Sequence, residues 1–325
     1  MTMLSIVSPA FREARNLPSL RTRLCDVLDT LGMEWEWIIV DDHSPDETFA
    51  IVERFAAADR RIRGLRLSRN CGSHQASACG FAHARGDAVV LLAADLQDPP
   101  ELIPQLLEHW RAGAQVVWAA RRTHPGTTRM DRAGGRLFYA LLSRLEGLPK
   151  LPPLGADFFL IDRVVVDALA RFSEQHASLF VLIAWLGFRQ VSVDYDKHPR
   201  LHGRSGWTLR RKIKLAIDTV VAFSYWPIRC MTAVGLATAL AGFAWAAVVV
   251  VNALRGAPPS GWASLMVAVL LLGGIQMLML GVLGEYLWRT LDEARRRPRA
   301  LIEAATIPPL ARPLVAAVAA SDRAR

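Results

Sequence analysis

Residues 91–101 read LLAADLQDPPE, and the way this stretch ends decides the fold. An apolar run over 88–94 stops abruptly at Asp95, Gln97 and Asp98, with Pro99 and Pro100 directly behind. Bounded in this way, the run has the form of a buried central strand. Two carboxylates and an amide then emerge together at its carboxyl end, the edge at which open α/β sheets bind ligands. Hard oxygen ligands there suit Mg²⁺ or Mn²⁺ holding a diphosphate. A plainer alternative is a strand-to-helix turn in which Asp98 caps a helix begun at Pro99.

A second segment, EWIIVDDHSPDET at 36–48, repeats the arrangement. Its apolar strand, 37–40, runs into Asp41, Asp42 and Asp46, with Ser44 between them. Two acid clusters at strand ends are more than helix capping requires. Together they resemble the nucleotide-sugar-binding half of inverting family 2 glycosyltransferases with the GT-A fold. Over residues 3–300 the chain is similar to the polyprenyl-phosphate glycosyltransferases, the group of dolichol-phosphate mannose synthases and bacterial undecaprenyl-phosphate sugar transferases.

The flanking pattern agrees with an α/β domain. Strands are expected at 4–8, 35–40, 62–67, 88–93 and 115–120, and amphipathic helices at 17–31, 46–58, 74–84 and 101–111. This alternation implies a mostly parallel, Rossmann-like sheet with helices on both faces. After a polar break at 121–128 come a helix over 132–145, a short strand over 157–161, a helix from Val164 and a strand over 191–196. They complete a GT-A domain spanning 1–209. The opening MTMLSIVSPAF lacks the basic and long apolar regions of a signal peptide and reads as a first strand.

Beyond residue 209 the character changes. Residues 210–229 carry basic side chains among Ile213, Leu215, Ile217 and Val220, as an amphipathic helix at a bilayer surface does. Residues 231–254 and 262–283 are uncharged, and each is long enough to cross the roughly 30 Å hydrocarbon core. The alternative is a pair of buried core helices. The short connector 255–261 makes 230–288 a transmembrane hairpin. It holds one charge, Arg255, whereas Arg210–Lys214 and Arg295–Arg299 crowd the outer ends. The positive-inside rule then puts both ends in the cytosol. Trp226, Trp262, Tyr286 and Trp288 stand near the span ends, where aromatic anchors collect. The basic tail, 289–325, is expected to be disordered from Ala300 onward.

Composition narrows the function classes. The 325 residues are 52% hydrophobic and carry a formal net charge of +9. Such charge is compatible with nucleic acid, but here it flanks the apolar spans and favours a membrane surface. Cys25, Cys71, Cys79 and Cys230 form no CxxC pair, which suits a reducing cytosol and argues against a zinc site or a disulfide framework.

The resemblance assigns roles residue by residue. Pro9 and Glu13 occupy a loop where relatives carry Pro-x-x-Asn-Glu, with Arg12 standing where Asn is usual. With Asp41, which accepts a hydrogen bond from base or ribose, and with Asp42, they line the nucleoside. Arg69, Asn70 and Gly72 match an Arg-Asn-x-Gly segment whose loop offers N–H groups to the donor's phosphates; His74 follows it. Relatives have Asp-x-Asp-x-Gln at the acid motif; here Ala93 replaces the first acid, and Asp95 and Gln97 remain to bind metal. Asp157, in GADFFLIDR, lies near the anomeric carbon. Phe159 stands where relatives often have Arg, leaving Arg121, Arg129 and Arg132 as candidates for that phosphate contact. In YDKHPRLHGRSGW at 195–207, Lys197, Arg200, Arg204 and Ser205 are expected to grip the acceptor phosphate, against general attraction to anionic headgroups as the alternative. Gly284, Glu285 and Tyr286 match a signature assigned to packing.

The implied reaction is inverting transfer of a sugar from a nucleotide donor, UDP-linked by preference, to undecaprenyl phosphate at the cytosolic face of a bacterial inner membrane, for cell-envelope glycan or lipid modification. Asp95 and Asp157 are its catalytic residues, Mg²⁺ or Mn²⁺ its cofactor, and a homo-oligomer its assembly. The alternatives are a family 2 enzyme with another lipid or glycan acceptor, and a catalytically silent nucleotide-sugar-binding partner, which Ala93 favours. A polysaccharide synthase is disfavoured by the absence of a Gln-x-x-Arg-Trp motif. A nucleic-acid binder is suggested by charge alone.

Overall fold

A computed structural model describes residues 2–121, 157–172, 178–197, 226–255, 261–295, 297–298 and 300–306. The chain forms two compact units: Met1–Ala216 with Arg297–Arg325, and Ile217–Arg296. The expected helix over 132–145, most of the juxtamembrane segment, and Arg129, Arg132, Arg200, Arg204 and Ser205 lie outside the described residues.

The first unit is built on an eight-stranded sheet in the order β7-β5-β6-β4-β1-β2-β3-β8. Its strands are β1 (Met3–Ala10), β2 (Glu34–Asp41), β3 (Ile62–Leu67), β4 (Ala88–Leu91), β5 (Val116–Arg121), β6 (Phe159–Asp162), β7 (Gln190–Tyr195) and β8 (Ile302–Ala305). Only β6 and β8 run against the rest. The mostly parallel α/β sheet of the GT-A fold is therefore present.

Central strands are apolar on both sides because both sheet faces are covered. Along β2, Trp37 and Ile39 enter one hydrophobic layer, and Ile38 and Val40 enter the other. Helix α1 (Leu17–Asp29) buries Leu17, Leu20, Leu24 and Leu28, one stripe at helical spacing, and starts with Pro18 in its first turn. Helices α2 (Thr48–Ala58) and α4 (Ile103–Arg111) bury similar stripes. By contrast, α3 (Ser73–His83) lies on β1 and β2 through small residues: a Cβ on Gly80 would overlap Val7. Short helices α5 (Arg163–Leu169) and α6 (Leu179–Trp185) follow β6. Inside the sheet, Arg63 donates to Glu36 at 2.8 Å, and Ser5 donates to the same carboxylate at 2.7 Å.

Two expectations need correction. Strand β4 ends at Leu91, two residues early, because the chain turns off toward the acids with Leu92 N–H still bonded to Val7 O. The expected disorder from Ala300 is also overturned over 302–305. That segment pairs antiparallel with β3, and Ser68 N–H bonds Leu301 O while Thr306 N–H bonds Gly64 O.

The second unit contains α7 (Trp226–Leu254) and α8 (Trp262–Ala294). Both are long and apolar enough to cross a membrane, and no residue in the most apolar window of either is buried. Glu285, expected only to pack, pairs with Arg289 one turn on at 2.8 Å.

Candidate active site

The strand order builds the site. Strand β1 leads to β2 and β3 on one side, while β4 lies on the other, so the chain reverses its direction of travel between β4 and β1. Ligands of open α/β sheets bind at such a switch point, outside the carboxyl ends of the strands. Three residues with side chains adopt left-handed backbone there: Arg12 (φ 60°), His43 (φ 58°) and Leu96 (φ 61°), in the loops after β1, β2 and β4. That conformation is uncommon outside glycine and costs energy, and it clusters at functional loops. At Leu96 the side chain is buried in the core, between Asp95 and Gln97.

On the β4 side, charged groups from four strands converge. Asp95 and Asp98 follow β4, Arg121 ends β5, Tyr195 ends β7 with Lys197 just beyond, and Asp157 precedes β6. Because β6 is antiparallel to β4, with Leu91 facing Phe159, its leading residue reaches the same edge. The Lys197 ammonium bridges Asp98 and Asp157 at 3.2 Å each. Arg121 pairs with the other oxygen of Asp157, and the Tyr195 hydroxyl donates to Asp98. Burial lowers the pKa of Lys197 while Asp98 and Asp95 pull it upward; burial and Asp98 together raise that of Tyr195, keeping its proton on.

This arrangement corrects one alternative. Asp98 does not cap a helix: it is fully buried, bonded to Tyr195 and paired with Lys197, and Pro99 heads the short 3-10 turn at Pro100–Leu102 without a side-chain cap. Arg121 is engaged with Asp157. Lys197, expected to grip the acceptor phosphate, is shared between two carboxylates.

On the β2 side, both Asp41 oxygens accept from Ser44 N–H, at 3.1 and 3.3 Å, and Arg66 lies 3.8 Å away. Asp42 accepts Cys71 N–H at 2.6 Å and Gly72 N–H at 2.8 Å. Burial raises the pKa of both acids. The Asp42 contacts revise the expectation for the Gly72 loop: its N–H groups at 71 and 72 already hold an anion, the carboxylate of Asp42. Gly72, at φ +91°, supplies the turn that aims them. Asp42 thus fixes the loop before α3, while Arg69 and Asn70 are exposed. The loop after β1 is tied to the loop after β2, Arg12 N–H bonding Ser44 Oγ and Glu13 N–H bonding Thr48 Oγ1. Pro9 pairs with Val40 inside the sheet, and the Glu13 carboxylate accepts from Asn16. His74 is partly buried, accepts Leu179 N–H at 3.3 Å and packs on Phe180, which makes it a tie between α3 and α6.

The donor set around Asp95 fits a hard cation. Asp95 and Gln97 offer a carboxylate and an amide oxygen, and the buried Oδ2 of Asp98 has no hydrogen-bond partner among the described residues. Among the described residues no three His, Cys, Asp or Glu side chains form a metal cluster. A cation held by Asp95 and Gln97 would need further oxygen ligands, which phosphate and water would supply, as they commonly do for Mg²⁺. Nothing local in the sequence marks Arg66 or Glu303 as site residues; Tyr195 carries a local signal because it opens the basic segment.

Comparison with known proteins places this geometry in a family. Residues 5–170 match the model for glycosyl transferase family 2, and residues 226–289 match the GtrB C-terminal hairpin. An uncharacterized glycosyltransferase of Synechocystis is 39% identical over 300 residues, covering 92% of this chain and 94% of its own. A prophage bactoprenol glucosyl transferase homolog of Escherichia coli is 34% identical over 309 residues, covering 92% and 98%. The bactoprenol glucosyl transferase of Shigella phage SfV is 34% identical over 304 residues, again covering 92% and 98%. Among solved structures, mannosyl-3-phosphoglycerate synthase from Rubrobacter xylanophilus aligns over 72% of this chain and 75% of its own, at 20% identity and a TM-score of 0.47. With a family model over more than half its length and relatives above 30% identity along most of it, the chain is a member of glycosyltransferase family 2 that carries a C-terminal membrane hairpin of the GtrB kind.

Proposed function

We propose that this protein transfers a sugar from a nucleoside diphosphate, uridine-linked by preference, to a polyprenyl phosphate at the cytosolic face of the membrane. The observation that carries the reading is the meeting of Asp95, Asp98, Asp157, Arg121 and Lys197 at one sheet edge, in a chain whose relatives include bactoprenol glucosyl transferases. In this reading Pro9, Glu13 and Asp41 line the nucleoside, and Arg69 and Asn70 approach the phosphates. Asp42 and Gly72 shape that loop.

An acceptor phosphate is already anionic near neutral pH, so the attacking oxygen needs no strong base. The chain's work is positioning and management of charge. Asp157, held by Arg121 and Lys197, faces the reacting carbon, where its carboxylate orients the acceptor or stabilises positive charge developing on the sugar. Arg200, Arg204 and Ser205 hold the lipid phosphate with help from Lys197. Asp95 and Gln97 would bind Mg²⁺ or Mn²⁺, which supplies positive charge to the departing diphosphate. Direct displacement inverts the anomeric centre. The products serve cell-envelope glycan or lipid modification, and the hairpin is the natural surface for a homo-oligomer.

The test uses bacterial membranes containing the full chain, undecaprenyl phosphate, Mg²⁺ or Mn²⁺, and a panel of labelled UDP- and GDP-sugars. Label is expected in the organic phase from one donor, with inverted configuration, and reduced about a hundredfold or more by Asp95→Ala. Nucleotide binding by a folded wild type that transfers no sugar would overturn the reading and favour a silent partner, as Ala93 suggests.

A further inference from the structure

Glu303 lies on β8, the strand that follows the second membrane helix, yet its carboxylate reaches the loops at the end of β2. Its Oε2 stands 3.2 Å from Arg66 Nε and 3.2 Å from His43 Nδ1. Arg66 in turn lies 3.8 Å from the fully buried Asp41, and its Nη2 donates to Ser44 O at 3.4 Å. The Arg66 guanidinium also rests over Phe49, 5.7 Å from the ring centre. The Nε–H of Arg66 is buried but aligned for a hydrogen bond with neither acid. The guanidinium is therefore suspended between Asp41 and Glu303, nearer to Glu303.

The position of Glu303 is built. Strand β8 pairs Leu65 with Ala305 and Arg66 with Ala304, then shifts register so that Leu67 faces Ile302. Glu303 sits at that irregularity. Thr306 N–H bonds Gly64 O at 3.0 Å, a backbone bond that pins the strand's far end, and Thr306 Oγ1 accepts Gly64 N–H at 2.9 Å. His43, in left-handed backbone, is held additionally by Leu67 O at 3.0 Å.

An arginine this close to a buried carboxylate pairs with it strongly when nothing competes, because charge-assisted, two-pronged contacts are the strongest such bonds. Asp41, both of whose oxygens already accept Ser44 N–H, would then give its remaining lone pairs to Arg66. We propose that Glu303 is a positioning residue for the nucleoside end of the donor site: it draws Arg66 off Asp41 and leaves that carboxylate able to accept from the nucleoside. The inference rests on the reading above, in which Asp41 meets the nucleoside. It goes further in making the donor site depend on a segment C-terminal to the membrane hairpin. Glu303 and His43 are both about half exposed, at 48% and 42%. Such exposed pairs add little to stability, so a geometric role is distinguishable from a structural one.

The experiment titrates UDP and GDP separately into the detergent-solubilised full chain, and measures donor and acceptor KM where transfer occurs. Glu303→Gln keeps shape and removes charge. It is expected to weaken binding of the preferred nucleotide and raise donor KM about fivefold, equivalent to about 1 kcal/mol, with kcat and acceptor KM unchanged. In an Arg66→Gln background the same change is expected to have no further effect. Thr306→Val loses the side-chain bond to Gly64 but keeps the backbone bond from Thr306 N–H to Gly64 O that holds the strand in place, so it should lower Tm and leave donor KM alone. Unchanged nucleotide affinity in Glu303→Gln would overturn the proposal, as would an equal loss in both backgrounds or a donor-KM loss in Thr306→Val that follows its Tm. A wild type that binds nucleotide but transfers no sugar would defeat the transfer reading alone, and the affinities would still decide the role of Glu303. A wild type that binds neither nucleotide would remove both.

Discussion

Lys197 carries one positive charge among three acids, and the consequences are unequal for each. Asp98 is fully buried and has the Tyr195 hydroxyl as its other partner, so it depends on the ammonium for neutralisation. Asp157 is 38% exposed and has Arg121 as well. Removing one member of a buried pair leaves an uncompensated charge, which costs about 3–5 kcal/mol, whereas removing both charges is often near neutral. Lys197→Met is therefore expected to lower Tm in detergent sharply. The double variant Lys197→Met/Asp98→Asn should recover much of that loss, while Asp157→Asn added to Lys197→Met should recover little. Thermal unfolding of the four proteins at one pH checks the order. A single Lys197→Met variant as stable as wild type would show that water reaches Asp98 and that the pair is not a buried one.

The elements around the site differ in how far they are legible from sequence. Apolar runs leading into acids are plain in the sequence at Asp41 and Asp95, although β2 takes in Asp41 and β4 stops at Leu91. Strand β3 fell where its apolar run placed it, and β2 and β7 within a residue or so. What escaped depends on partners remote in the chain. Asp98 looks like a cap until Tyr195 and Lys197 arrive from about a hundred residues away. The Gly72 loop looks like an empty anion site until Asp42 is seen to fill it. Strand β8 is four residues, IEAA, too short to show alternation, and only β3 makes it a strand. His74 belongs to the same class: a lone histidine in sequence, it joins α3 to α6 by accepting Leu179 N–H, a role that requires a neutral ring. Burial lowers its pKa to about 4, against about 6.5 in an unfolded chain. Between those values the unfolded state binds more protons, so this contribution is present above about pH 6.5 and is lost as pH falls toward 4. His74→Gln keeps an acceptor without a titrating ring. Its Tm is expected to fall less steeply than that of wild type between about pH 6.5 and 4.5. Parallel slopes would show that His74 titrates normally and bears no such load.

At the scale of the whole molecule, β8 constrains the path of the chain more tightly than charge counting does. The chain passes from the unit containing β1–β7 into α7 and α8, and by Ile302 it is again part of the first unit's sheet. A chain that enters a bilayer and returns to the same folded unit must cross an even number of times. In the proposed membrane-spanning reading, with two helices long enough to span, the connector at 255–261 is expected on the side of the bilayer opposite the first unit. By the positive-inside rule, the positive charge at the outer ends is what supports proposing the cytosol, where nucleotide sugars are made, as the first unit's side. Cysteine chemistry tests the topology on the intact protein. Cys25 and Cys71 are partly exposed on the first unit and serve as internal reporters. In spheroplasts, a membrane-impermeant maleimide is expected to leave the wild type unlabelled until the membrane is permeabilised. Ser260→Cys should be labelled before permeabilisation, and an impermeant quencher added first should abolish that early signal alone. Early labelling of the wild type would invert the orientation. Labelling of Ser260→Cys only after permeabilisation would mean that α7 and α8 do not carry the connector across, and the chain would then lie on the membrane and not through it.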